Sequence, residues 1–531
     1  MQSFITTTTA SMPDILSYPK SLGAVLVLLG LIIYNRVTKL RLPKLHLLNS
    51  RQGKLFSYHR TRFRNMTGLR DALTLADAHH KEETILLSVA GHPDVVLLPN
   101  DETTWVMKQP ENVLNRHAQT NEELSIEHGT YFDKKTFLDG VGNQIITTKL
   151  NAQIGALIPI VDEELEEGFK RLWGTDTKEF HEVGVYETLQ AIETQISGRT
   201  FTGLPECLDP ELAKATKGWI MAFPVSAVLL GHLPKPLKYL VAPLVTIPNR
   251  KHEKAFLKIV KPGIQQRLQD FRKRQSANDL EKAAMGPEPN DWLQWMIDFA
   301  VKNGDPHLLE ADTLAGLELL INFASIHTSS FAITHAVLDL AASDPSYIAE
   351  LRDEIRTILA DHDGKWSKTA LSQMVKLDST MRESQRINGP SPIGVLRRVV
   401  APDGITTPSG IHLPQHSVLG VNAHSIHHDT RHYGADAGEF KPFRFAEKKD
   451  EGARQAWATT SATYMAFGGG RAACPGRFFG AAKVKLMLAR ILMEYEIEGL
   501  EERPPNLYLG LNILPPMKAG VRVRRKQEGV F

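Results

Sequence analysis

Cysteine is nearly absent: Cys207 and Cys474 are the only two in 531 residues. Two thiols cannot build a disulfide framework, so the chain suits a reducing compartment. One isolated cysteine also cannot make a structural zinc site or an iron–sulfur cluster, each of which takes several ligands. An excess of one charge is missing as well, since 62 Lys and Arg face 60 Asp and Glu. With no basic run interleaved with aromatics, this balance argues against a nucleic-acid partner. Internal repeats and low-complexity stretches are lacking. So is the H-E-x-x-H pattern, so His424, His427, His428 and His432 lack that zinc-binding spacing. Strand and helix patterns do not alternate, which excludes a doubly wound sheet.

Long apolar runs are scarce, and one stands out. Ser21 to Tyr34, SLGAVLVLLGLIIY, is uncharged, but its 14 residues fall short of the ~20 a membrane-spanning helix needs. Extension back over 17–20 reaches that length if Lys20 snorkels to the interface. A cleaved signal peptide carries its charge before the run and a small-residue site after it. Here Arg36, Lys39, Arg41 and Lys44 follow the run, and no A-x-A site is present. The reading is an uncleaved anchor. Residues 1–16 are then lumenal, 17–36 span, 37–44 form a basic, proline-bearing linker, and 45–531 make one catalytic domain on the cytoplasmic side. On that topology the sequon at Asn65 goes unglycosylated.

Beyond residue 45, helical patterns run over 153–173, 308–342, 345–361 and 476–494. Strand-like stretches are short: 84–91, 94–99, 394–400 and 417–426. Segments 273–291 and 401–443 read as loops. The expected fold is mainly α, with a minor β-sheet assembled from the N-terminal part and from 394–426.

Cys474 lies in FGGGRAACPGRFFG (467–480). Gly468, Gly470 and Ala473 fit the dinucleotide pattern G-x-G-x-x-A, but that fingerprint needs a βαβ unit within an alternating sheet. A second reading is a buried cysteine at a helix start. A third is a thiolate metal ligand. Glycines would let the backbone pass close to a large planar group. Pro475 would open the following helix, whose first N–H groups would stabilise the sulfur. Phe467 could pack against the ligand's face. A single thiolate on iron is the haem arrangement that favours O–O cleavage.

This stretch resembles the haem-binding loop of the cytochrome P450 family, F-x-x-G-x-R-x-C-x-G, at Phe467, Gly470, Cys474 and Gly476. The family's arginine two residues before the cysteine, a haem-propionate contact, is Ala472 here, and Arg471 is displaced by one. LDSTMRESQR supplies Glu383 and Arg386 in the pattern E-x-x-R, three apart on one helix face. FKPFRF (440–445) matches F-x-P-x-R-F and supplies Arg444, which in the family completes a buried network under the haem loop. NFASIHTSS (322–330) resembles the oxygen-activating helix segment at Ala324, Thr328 and, loosely, Ser329. There a threonine relays protons, and the acid before it is His327 in this chain, as in fungal members with A-I-H-T-T. A histidine carries protons near neutral pH. The resemblance further implies propionate contacts from Arg398 and from Lys149.

Together these motifs imply a P450-like fold carrying haem b on Cys474. They imply a monooxygenase in the endoplasmic reticulum membrane, reduced by a separate NADPH-cytochrome P450 reductase with cytochrome b5 as a second donor. The resemblance to fungal secondary-metabolism enzymes points to a lipophilic terpenoid, meroterpenoid or indole-diterpene substrate. A haem-thiolate isomerase or dehydratase and a non-enzymatic haem-binding membrane protein remain the alternatives.

Overall fold

Apolar residues recurring every three or four positions make helix Ile154–Leu172, in which Ile154, Leu157, Ile158, Val161, Leu165 and Phe169 are all buried. The same periodicity places helices at Pro345–Ala360 and elsewhere close to the expected bounds. The computed structural model describes residues 40–51, 56–129, 140–447 and 456–527. The expected anchor at 17–36 lies outside these residues. Among those described, no helix is long and apolar enough to cross a membrane.

Five helices build the site. They are α1 (Val185–Ser197), α2 (Pro210–Gly231), α3 (Ala311–Ala341), α4 (Val375–Ile387) and α5 (Arg477–Glu494). Helix α3 is apolar all round and lies at the centre, packed against the other four. Such a helix has no solvent face to present. Its exposed residues are three: Asp312 in the first turn, then Ala324 and Thr328 in the middle. The last two sit one turn apart and mark a groove across an otherwise buried rod.

The main sheet is built from β1 (His46–Leu47), β2 (Ile85–Leu87), β3 (Val95–Leu98), β4 (Leu114–Asn115), β5 (Ile393–Val399) and β6 (Val418–Asn422). Their spatial order is β1-β2-β3-β6-β5-β4, so N-terminal strands do pair with the 394–426 region. The antiparallel register of β5 on β6 slips between Gly394 and Arg397. Within this bulge Val395 takes φ 42, a left-handed conformation that a β-branched residue adopts only under strain.

Three expectations change. The stretch 417–426 is strand only as far as Asn422, whose side chain caps a short helix, Ala423–His427, by accepting from the Ser425 N–H. Segment 273–291 is not all loop. Helix Ile247–Ser276 runs into it, and a capping box between Asn278 and Glu281 starts another, Asp279–Ala284. Outside the strand expected at 417–426, the expected loop 401–443 also holds short strands at 405–406 and 412–413.

Candidate active site

The loop before α5 closes on itself. The Cys474 N–H donates to the Phe467 carbonyl at 2.8 Å, and that of Ala473 to Gly470 at 3.2 Å. Gly468 and Gly470 take φ 72 and 64, left-handed values natural to glycine. Gly469 and Gly470 lie close against Met107 of helix Thr103–Lys108. A Cβ on Gly470 would lie 2.4 Å from the Met107 carbonyl, and one on Gly469 would lie 2.1 Å from the Met107 thioether methyl. Pro475 also differs from expectation. It lies in the turn before Gly476, the cap of α5, and so precedes the first helical turn. Its carbonyl accepts from the Asn151 amide at 3.2 Å. Phe467 is half-buried, with its ring 5.5 Å from that of Trp457.

Cys474 is a free, exposed cysteine in this loop. Crowding protein atoms push its thiol pKa up, while the Gly476 N–H, the Arg477 charge and the Arg477 N–H favour the thiolate. The other cysteine, Cys207, is pushed up to about 11 by burial and sits in the turn Glu206–Leu208.

Glu383, Arg386 and Arg444 meet as expected. Arg386 donates to both oxygens of Glu383, at 2.7 and 2.8 Å, and Arg444 Nε adds a third bond at 2.8 Å. Glu383 is 0% exposed, Arg386 1% and Arg444 8%. Arg386 also donates to the carbonyls of His427, Ala437 and Glu439. His427 continues the chain of contacts, for its Nε2 accepts the Met465 N–H at 3.0 Å. A second brace comes from β5, where Arg397 donates to the Gly469 carbonyl at 3.1 Å. Neither His427 nor Arg397 carried a sequence signal for these roles, because both act on backbone atoms far along the chain.

On α3 the Thr328 hydroxyl donates back to the Ala324 carbonyl at 2.8 Å, as a threonine in a helix usually does. Both ring nitrogens of His327 are engaged, neither with Thr328. Nδ1 lies 3.2 Å from the Tyr186 hydroxyl, and Nε2 lies 3.4 Å from the Ile220 carbonyl.

Comparison with known proteins gives this geometry its family. The cytochrome P450 family profile matches residues 141–521. The chain belongs to the cytochrome P450 family. Its relatives include cytochrome P450 monooxygenase gloP of Glarea lozoyensis, 29% identical over 84% of each chain. Cytochrome P450 monooxygenase 151 of Postia placenta is 34% identical over 72% of this chain and 75% of its own. Cytochrome P450 monooxygenase astC of Aspergillus terreus is 29% identical over 94% of this chain and 95% of its own. The solved structure of retinoic acid-bound cyanobacterial CYP120A1 matches with a TM-score of 0.65 at 16% identity, covering 91% of this chain and all of that one, a likeness of fold.

P450 enzymes are oxidoreductases that hold haem iron on a cysteine thiolate, need a redox-partner reductase and act on small molecules. The residues present in this P450 fit that group. Cys474 offers a sulfur flanked by two N–H groups. Arg398 of β5 has a buried Nε with no hydrogen-bond partner among the described residues, a cation free for an anionic propionate. The Glu122 carboxylate acts on it from a distance and opposes the lowering of its pKa by burial. Lys149 does not join it: its half-exposed side chain lies 3.8 Å from Asp298.

Proposed function

We propose that this P450 is anchored in the endoplasmic reticulum membrane and hydroxylates, or oxidises in repeated turns, a lipophilic substrate of terpenoid, meroterpenoid or indole-diterpene type. Electrons come from an NADPH-cytochrome P450 reductase, with cytochrome b5 as a second donor. One observation carries the substrate class. The groove on α3 offers Ala324 and a Thr328 hydroxyl turned back on its own helix, next to the half-buried ring of Phe323. Such a site selects by shape more than by hydrogen bonds. Membrane contact is supported by Met221, Val225, Val228 and Leu229 on α2 and by Leu240, Leu244 and Ile247 beyond it, all exposed. Apolar side chains spread over one region in this way mark an interaction surface.

Haem, when bound, supplies the O–O cleavage chemistry that thiolate ligation favours. The protein's share is to set the Gly476 and Arg477 N–H groups at the Cys474 sulfur, where they favour a thiolate, to counter a propionate with Arg398, and to keep a hydroxyl proton at Thr328 Oγ1. Product analysis in a heterologous host supplied with reductase and fed a terpenoid panel tests this reading. The expected result is NADPH consumption that depends on substrate and yields oxygenated product. Conversion without NADPH consumption establishes the isomerase or dehydratase instead.

A further inference from the structure

Helix α2 contains Pro224. A proline has no N–H, so the carbonyl four residues earlier, that of Ile220, loses its helical donor. The ring nitrogen facing that carbonyl is His327 Nε2 at 3.4 Å. A carbonyl only accepts, so Nε2 carries the hydrogen, and burial keeps the imidazole neutral by lowering its pKa. Nδ1 is then an acceptor. The hydroxyl that faces it belongs to Tyr186 of α1, which already accepts from the Gln190 amide at 2.7 Å and so has its own hydrogen to give. The bonds run one way, from Gln190 to Tyr186 to His327 to Ile220. They join α1, α3 and α2 through a single imidazole.

Aromatic packing holds that imidazole in place. Phe323 and Phe331, one turn to either side on α3, put their rings 6.2 and 5.6 Å from it. Phe323 in turn meets Phe223 of α2 edge to face at 5.3 Å. Helix α2 therefore crosses α3 beside Ala324 and Thr328, the two residues that open the groove.

We propose that His327 is a positioning residue, a latch that supplies the donor missing at Pro224 and so fixes α2 over the groove beside Thr328. It is not the proton donor to Thr328. The proposal rests on the haem-thiolate family alone and holds whatever the substrate.

Hydrogen–deuterium exchange on the haem-loaded enzyme tests it, in wild type, His327→Phe, His327→Gln, Pro224→Ala and the double variant His327→Phe/Pro224→Ala. His327→Phe keeps a ring but no donor, and should raise exchange in peptides covering 213–231 several-fold while leaving 477–494 unchanged. His327→Gln places an amide N–H near the Nε2 position and should stay within about twofold of wild type. Pro224→Ala returns an N–H to the Ile220 carbonyl, so the Phe substitution should lose most of its effect in that background. Affinity for clotrimazole, read from the Soret shift, should follow the same pattern: altered several-fold in His327→Phe and restored in the double variant. Equal effects of His327→Phe with and without Pro224 overturn the latch, because the orphaned carbonyl would then be irrelevant. Unchanged exchange in 213–231 together with raised peroxide release also overturns it, in favour of a proton relay.

Discussion

Glu383→Gln isolates the network that braces the cysteine loop. The wild-type carboxylate is fully buried and accepts four bonds, two from Arg386, one from Arg444 and one from the Lys441 N–H. Glutamine keeps the shape, but it removes the charge between two guanidiniums and turns an NH₂ toward their N–H groups. Breaking a buried ion pair on one side costs about 3–5 kcal/mol, because the remaining charge is left uncompensated. At roughly 2.1 cal/mol/K per residue, the unfolding entropy of a 531-residue chain is about 1.1 kcal/mol/K, so the apparent Tm should fall by about 3–5 °C. The local effect should be larger than that shift suggests, since Arg386 also holds His427, which holds Met465 next to the loop. The reduced carbon-monoxide difference spectrum should therefore lose its thiolate-type band at temperatures where the fold persists. Arg444→Lys keeps a cation for Glu383 and Asp436 but not the guanidinium fork, and should fall between wild type and Glu383→Gln. Scanning calorimetry and the spectrum check both points. A Glu383→Gln protein with Tm within about 1 °C of wild type and an intact band would refute the reasoning.

Cys474→Ala should abolish the thiolate-type band and Cys207→Ala should preserve it; the reverse pattern would move the ligand. Gly470→Ala forces a Cβ into the Met107 carbonyl and a left-handed φ on alanine, a backbone strain alone of about 1–3 kcal/mol. Its haem-to-protein ratio should drop, and a wild-type ratio would show that the loop can shift away from Met107. Stability should also depend on His427, which burial and the Arg386 charge hold down to about 3. Between that value and the unfolded value near 6.5 the unfolded chain binds one proton more, so stability is full above about 6.5 and declines as pH falls. His427→Gln, which can still accept from Met465 but cannot titrate, should flatten the Tm profile between about pH 6.5 and 5. Superimposable profiles would exclude the histidine as the cause.

What the sequence determined by itself was local. Spacing of three puts Glu383 and Arg386 on one face of α4, and the turn ahead of α5 aims N–H groups at Cys474, whatever the rest of the chain does. Helix positions followed from apolar periodicity for the same reason, although Pro224, Pro243 and Pro262 interrupt that signal within three helices. Partners were another matter. Periodicity says which face of a helix is buried but not which atoms from a distant segment meet it. Only the packed structure turned Lys149 toward Asp298, set Met107 against the loop glycines, strained Val395 into a bulge, and brought Arg397 to the Gly469 carbonyl. It also decided His327. The sequence placed a histidine beside Thr328, but neighbours on a helix point about 100° apart, and the crossing of α1 and α2 claimed both of its nitrogens.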